Sequence, residues 1–132
     1  MKMIAQQLKE NQLKDIKESV HQFRVCKWLD ERNIVYFAVP NGYKKSKFQQ
    51  AQAKREGLKA GVPDIIILTK AKNDTPTALE LKKYMGEKHK LPCNCMSESQ
   101  KEWQTIMTQN GFNHVLAHGE DEAIQDLIEL GY

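Results

Sequence analysis

Three residues have the types and spacing that phosphodiester hydrolysis needs. Asp64 follows Pro63, and further along the chain Glu80 and Lys82 stand two residues apart. Cleaving such a bond at neutral pH requires neutralisation of the charge on the phosphate and activation of a water molecule. A hard divalent cation held by carboxylates supplies both. These residues are therefore candidates for a metal-dependent hydrolytic site.

Two strands are predicted to carry these side chains. Asp64 opens a continuous apolar run to Leu68, which is typical of a strand buried on both faces, and residues 77–82 favour a strand that follows it as a hairpin. Side chains two apart on a strand share a face, so Glu80 and Lys82 project together.

The hairpin would let Asp64 approach Glu80 closely enough to share one cation. Lys82 would then stand beside that cation, where its ammonium group can orient the water or stabilise the phosphate. The main-chain carbonyl of Leu81 is well placed as a further oxygen ligand. Leu81 and Leu79 direct their side chains to the opposite face, towards a core.

Other elements must position this hairpin. In chain order, we predict a helix over 13–32, strands over 34–39, 64–68 and 77–82, a helix over 97–110, a strand over 114–117 and a helix over 120–130, with a short helix around 47–56. Residues 83–96 read as a loop. The order α, β, β, β, α, β, α predicts a single α/β domain over residues 1–132, with a mixed central sheet of about four strands flanked by helices.

Helical spacing predicts which side chains enter the core. The first helix has two stripes: an apolar one of Ile16, Val20 and Phe23, and a second one of Glu18, Gln22, Val25 and Leu29. The second stripe places the carboxylate of Glu18 in line with core residues. In the two later helices, the expected core-facing sets are Trp103, Ile106 and Met107, and Ile124, Leu127 and Ile128.

Composition excludes several classes of protein. The chain has 132 residues, of which 40% are hydrophobic and 28% charged, as in an ordinary globular domain. No apolar run approaches the length of a membrane span, and residues 1–11 lack the apolar core of a secretory signal. We therefore expect a cytoplasmic protein without a membrane partner, whose three cysteines are free thiols.

The charge is distributed unevenly. Residues 40–101 hold 13 Lys/Arg and 6 Asp/Glu, whereas residues 102–132 hold 6 acids and no Lys or Arg. This asymmetry favours one face built for a polyanion. Candidate contacts to a nucleic-acid backbone are Lys44, Lys45, Lys47, Lys54 and Arg55, with the aromatic Tyr43 and Phe48 among them; a solvated basic surface is the competing interpretation. Lys83, beside the motif, is the better candidate for a phosphate contact.

The motifs together carry a family resemblance. Pro63-Asp64 followed by Glu80-Leu81-Lys82 resembles the signature of PD-(D/E)xK nucleases, which have a restriction-endonuclease-like core. Four segments, at residues 18–22, 61–64, 80–83 and 97–100, resemble the VRR-NUC family (virus-type replication-repair nucleases) in their order and spacing. That family includes standalone phage and bacterial proteins and a module of a larger repair enzyme. The resemblance covers roughly residues 15–128.

The resemblance implies roles for individual residues. It implies that Asp64 and Glu80 bind Mg²⁺ or Mn²⁺, that Lys82 is the catalytic lysine, that Glu18 is an additional acid at the metal site, and that Gln100 matches the family's glutamine. It further implies a homodimer that acts on branched DNA, notably four-way junctions, without an organic cofactor. The stretch between Lys83 and Ser97, which contains Pro92-Cys93-Asn94-Cys95, departs from the family pattern.

Several residues have a second interpretation. Glu18 could be a first-turn helix acid that only interacts with the helix dipole, and Ser97-x-x-Gln100 is a capping-box pattern. Cys93-x-Cys95 with His89 could bind zinc, but no second Cys or His pair stands at zinc-finger spacing, so we expect no zinc site. The two histidines around the fourth strand, His114 and His118, favour packing or surface roles.

Two other functions remain open from the sequence. One is a nuclease that trims flaps or ends within a larger complex. The other is a DNA-binding module that kept the fold without cleavage, although the intact Asp64, Glu80 and Lys82 favour an enzyme.

Overall fold

The computed structural model describes residues 4–5, 8–9, 12, 16–40, 46–84 and 95–132. Within them lie, in chain order, α1 (Glu18–Glu31), β1 (Tyr36–Ala38), α2 (Lys47–Arg55), β2 (Ile65–Ile67), β3 (Thr77–Lys82), α3 (Glu98–Gln109), β4 (Asn113–His118) and α4 (Glu120–Glu129). Five predicted residues lie outside the described part of the chain: Tyr43, Lys44, Lys45, His89 and Cys93.

The strands form one mixed sheet in the order β1-β2-β3-β4. Strand β2 pairs antiparallel with both β1 and β3, and β3 pairs parallel with β4. A parallel pair needs a crossover connection, and α3 supplies it here. The predicted α/β class, the four-stranded mixed sheet and the β2–β3 hairpin are confirmed.

The centre of the sheet explains the apolar run of β2. All three isoleucines of Ile65–Ile67 are buried, because β2 lies between two other strands and has both faces covered. The neighbouring β3 is buried along five of its six residues. A charged residue on β3 therefore enters a dry environment.

The main core lies on one face of the sheet, between the sheet and helices α1 and α4. Leu79 and Leu81 of β3 contribute to it, and the helices contribute Val25, Leu29 and Leu127. Because side chains alternate along a strand, Glu80 and Lys82 must point to the opposite face. The predicted division of β3 into a core side and a polar side is confirmed.

One predicted core stripe of α1 is wrong. Val20 is 38% exposed and Phe23 is 70% exposed, whereas Val25 and Leu29 of the second stripe are fully buried. Both stripes have helical spacing, and the sheet accepts only the one that it meets. His21 also joins the buried face of α1.

Two residues of the later helices that we predicted to face the core are exposed instead. Ile106 of α3 is 40% exposed and Ile128 of α4 is 47% exposed. In α4 the buried pair is instead Ala123 and Leu127, four residues apart. The small side chain of Ala123 allows the helix to approach the sheet closely along that line, and this turns Ile128 outwards.

The cysteine prediction holds in part. Cys26 is a free thiol, but Cys95 is disulfide-bonded, so the expectation of three free thiols is wrong. Among the described residues, no helix has both the length and the apolar character needed to cross a bilayer.

Candidate active site

A cavity of about 560 Å³ opens where β2 and β3 meet the starts of α1 and α3. All six residues that we predicted for catalysis or metal binding line it: Glu18, Asp64, Glu80, Leu81, Lys82 and Gln100. They come from four separate elements of the chain. The tertiary structure thus brings the predicted chemistry into one place.

Asp64 is held firmly at the entry of β2. The register pairs Ile65 with Leu79, and its extension by one residue places Asp64 beside Glu80. The Leu81 N–H donates to Asp64 Oδ2 at 2.8 Å, and the Val39 N–H donates to the Asp64 carbonyl oxygen at 2.8 Å. The carboxylate therefore has a fixed position between two strands.

Gln100 bridges Glu80 and Lys82 through two hydrogen bonds. Gln100 Nε2 donates to Glu80 Oε1 at 2.9 Å, and Lys82 Nζ donates to Gln100 Oε1 at 3.1 Å. The Lys82 Nζ also lies 3.9 Å from Glu80 Oε1. Because the amide donates to the acid and accepts from the lysine, its orientation is determined by its partners.

Gln100 has a structural role as well. The Ser97 Oγ accepts from the Gln100 N–H at 3.2 Å, and the Ser97 N–H donates to Gln100 Oε1 at 2.8 Å. This is the capping box that the sequence predicted for the start of α3. The cap and the contact with Glu80 occur together, so the first turn of α3 is tied directly to the site.

The comparisons with known proteins give one informative result. No protein-family model matches the sequence, and no curated protein matches it. Among solved structures, the chain is similar to one described as "VRR_NUC domain protein", with a TM-score of 0.65 and 25% identity over 87% of this chain and 90% of that chain. This match supports assignment of the chain to the VRR-NUC family. The chain therefore has a nuclease fold with a PD-(D/E)xK-like core.

The two acids of the site repel each other in a buried environment. Burial raises the pKa of Glu80 to about 8, with the neighbouring Asp64 as the second cause. Burial also raises the pKa of Asp64, and the hydrogen bond from the Leu81 N–H opposes that rise. Adjacent buried carboxylates hold a proton because two negative charges are costly there. A divalent cation relieves the same repulsion.

The donor set fits a magnesium-type ion. Asp64 and Glu80 supply two carboxylates, and Mg²⁺ typically binds proteins through one or two carboxylates while it keeps several waters. Within the described ranges, no group of three Asp, Glu, His or Cys side chains is close enough to form a metal site. Glu18 lines the cavity from an exposed position at the start of α1, so the structure places it near the two acids without joining them in such a group.

A glycine that the sequence did not mark as part of the site turns out to support it. A Cβ on Gly61 would lie 2.5 Å from the Ser99 carbonyl carbon and 2.7 Å from the Gln100 nitrogen. Gly61 also has a φ of +83°, in the left-handed region. The main chain before Asp64 therefore packs directly on the first turn of α3. The sequence signal was present in the Gly61-Val62-Pro63-Asp64 segment, but its structural reason was not visible.

The predicted nucleic-acid contacts lie away from the cavity wall. Lys47, Lys54 and Arg55 are exposed on α2, and Lys83 is exposed just after β3. None of these four lines the cavity. They remain available to a backbone that extends beyond the site.

The two histidines of β4 have structural positions. His118 is buried, with Nδ1 3.9 Å from Glu122 Oε1. His114 is half-buried, and burial lowers its pKa. Neither lines the candidate site.

Proposed function

We propose that this VRR-NUC chain is a Mg²⁺- or Mn²⁺-dependent DNA endonuclease that selects branched structures. The observation that carries the proposal is the convergence of Asp64 and Glu80 on one cavity, with Lys82 and Gln100 bonded around them. The nuclease fold of the similar solved structure supports the reaction class. The metal and the branched substrate go beyond that likeness.

The chain's oxygen atoms define where the cation would bind. The carboxylates of Asp64 and Glu80 and the carbonyl of Leu81 would hold it, and Glu18, which lines the same cavity, would act through water. A bound Mg²⁺ or Mn²⁺ supplies Lewis-acid stabilisation of the phosphate charge and activates the attacking water. Deprotonation of the Asp64–Glu80 pair accompanies binding, because a cation and a shared proton compete for the same oxygens.

Lys82 and Gln100 prepare the other side of the site. The Lys82 ammonium is half-buried beside Glu80, so its charge acts on a phosphate with little screening by solvent. Gln100 holds the Lys82 Nζ in place through its Oε1 and holds the Glu80 carboxylate through its Nε2. We assign Lys82 to stabilisation of charge on the phosphate and Gln100 to positioning of both partners.

A branched substrate and a homodimer complete the proposal. Cutting a four-way junction symmetrically takes two active sites, and the described residues of this domain form one candidate site. A two-fold dimer is the simplest assembly with two. Exposed Lys47, Lys54, Arg55 and Lys83 provide positive charge for the phosphates of the arms.

The test compares cleavage by wild type with cleavage by Asp64→Ala and Lys82→Ala. Purified protein is incubated with labelled four-way junction, flap, linear duplex and RNA, each with Mg²⁺, with Mn²⁺ or with EDTA. We expect cutting of junctions in either metal and none in EDTA. Both variants should stay folded and bind DNA but cut at least about 100-fold more slowly.

Matched controls are exposed residues of the same types outside the site. Asp121→Ala on α4 and Lys70→Ala before β3 should cut like wild type. Cleavage by Asp64→Ala at the wild-type rate would refute the site assignment. Binding of junctions without cutting in any metal would favour the DNA-binding module, and preferred cutting of flaps would favour the end-trimming nuclease.

A further inference from the structure

A second cavity adjoins the candidate active site on the side of α1 and β1. It has a volume of about 510 Å³, within the usual size range of ligand sites. Ser19, Gln22 and Asp64 line both cavities. The two spaces therefore meet at Asp64, and together they form one trough that passes the predicted cleavage point.

The two ends of this trough differ in chemistry. The first cavity carries the charged and amide groups of Glu80, Lys82 and Gln100. The second is walled by the apolar side chains of Phe23 and Val39, with other small apolar groups of β1 and its exit. A ligand that fills the whole trough must have an anionic part and a flat or apolar part side by side.

Phe23 is the dominant group of the apolar end. Its side chain is 70% exposed, although large aromatic side chains usually find a buried place. It stands four residues after Ser19 on α1, so both project from the same side of the helix towards the trough. The exposed ring offers a face on which another ring can stack.

Gln22 lies between the two ends. It is half-buried and lines both cavities. A primary amide has two donors and an acceptor, which match the hydrogen-bonding edge of a base. An amide next to an aromatic face is the combination with which proteins commonly hold an unstacked base.

We infer that the apolar end of the trough binds one unstacked nucleobase next to the cleaved phosphate, with Phe23 as the stacking platform. This rests on the proposed function, because the backbone must cross Asp64 for its base to reach Phe23. Bases of a continuous duplex are paired and stacked, and removing one from the stack has an energetic cost. Branch points offer bases at a smaller cost. The subsite would thus contribute to selection of branched DNA over linear duplex.

The first experiment replaces the ring. Phe23→Ala should lower kcat/KM on a junction about tenfold, the usual order for loss of one base–aromatic stack, and Phe23→Trp should restore it. Phe37→Ala is the matched control, since Phe37 is an exposed phenylalanine that lines neither cavity, and it should leave kcat/KM unchanged. Equal activity of Phe23→Ala and wild type would overturn the inference.

The second experiment removes the base. Junctions carrying an abasic residue at each nucleotide around the cut are tested one by one with wild type and with Phe23→Ala. We expect one position at which loss of the base slows wild type about tenfold and does not slow Phe23→Ala further, because both changes delete the same contact. Fully additive effects at every position would refute a direct stack.

The inference can fail separately from the proposed function. If wild type cuts no nucleic acid, base binding is read from the fluorescence of oligonucleotides containing 2-aminopurine, which is quenched by stacking. Equal quenching by wild type and Phe23→Ala would then refute the subsite. If instead Phe23→Ala changes only the sedimentation of the protein, the exposed ring belongs to a contact between two copies of the chain, and the inference is wrong.

Discussion

Replacing Glu80 by glutamine removes a buried ionisable carboxyl group from beside Asp64 while it keeps the size and shape of the side chain. Glu80 is 4% exposed, and burial followed by the charge of Asp64 raises its pKa from 4.5 to about 8. The wild-type carboxyl group is therefore a destabilising feature of the metal-free protein at neutral pH. A neutral amide lacks this destabilisation, and its oxygen can still accept from Gln100 Nε2.

The sign and size of the stability difference between Glu80→Gln and wild type follow from proton linkage. Between about pH 4.5 and 8 the folded state binds more protons than the unfolded state, so the stability of wild type falls as pH rises through this window. Below this pH window Glu80 is protonated in both the folded and the unfolded state, so it does not lower the stability of the protein. At pH 7 the difference between the two pKa values corresponds to about 3 kcal/mol. Glu80→Gln should be more stable than metal-free wild type by that order at pH 7, and little different at pH 4.5.

The assay is thermal unfolding in EDTA and with Mg²⁺ or Mn²⁺, between pH 4.5 and 8. For a chain of this length, about 3 kcal/mol corresponds to a Tm increase of about 10 °C. Metal should raise the Tm of wild type, since a ligand that binds only the folded state stabilises it, and should raise that of Glu80→Gln much less. Glu102→Gln, at an exposed position on α3, is the matched control and should follow wild type throughout.

The stabilised variant should also be the inactive one. Glu80→Gln should lose cleavage of every DNA substrate in either metal, because the amide binds a hard cation weakly. A Tm in EDTA that is lower than that of wild type, or a difference that does not grow with pH, would refute the electrostatic reasoning. Full cleavage by Glu80→Gln would refute its place in the metal site.

Three further outcomes test the surroundings of the site. Each of Gln100→Ala and Ser97→Ala removes one bond of the capping box and should lower the Tm, by a loss of about 1 kcal/mol. Gln100→Ala also removes the contact with Glu80 and should lower kcat more than Ser97→Ala does. Equal kcat losses would show that only the cap matters. Gly61→Ala should lower the Tm more than Gly57→Ala does. Both glycines have positive φ, but only Gly61 has main-chain atoms within 3 Å of the new Cβ. Similar Tm losses in the two variants would contradict this. Lys83→Ala should reduce the slope of log K against log salt for DNA binding by about one, and an unchanged slope would exclude a phosphate contact.

Local pattern was sufficient for the strands that carry the site. The apolar run after Asp64 and the alternation along residues 77–82 predicted a buried hairpin with Glu80 and Lys82 on one face, and the structure has that arrangement. Period-two alternation leaves a strand little freedom once one face is apolar, because a shift by one residue would bury the charges. The capping box of Ser97 and Gln100 was equally local and equally predictable.

Helix orientation was less predictable. Val20 and Phe23 form a stripe with the same spacing as Val25 and Leu29, and nothing in the sequence of α1 alone says which stripe meets the sheet. The prediction that Ile128 is buried was wrong for the same reason, since Ala123 of α4 is buried instead. An apolar side chain is buried only if a partner surface faces it, and that surface comes from distant parts of the chain.

The sequence by itself determined the types of the reacting groups, their order, and the strand faces on which they project, because these depend on residue chemistry and on local backbone geometry. Only the tertiary structure decided that the first turn of α3 rests on Gly61 and delivers Gln100 between Glu80 and Lys82. It also decided that the exposed ring of Phe23 lines the same cavity as Asp64. These distances join residues far apart in the chain, and packing of the whole domain sets them.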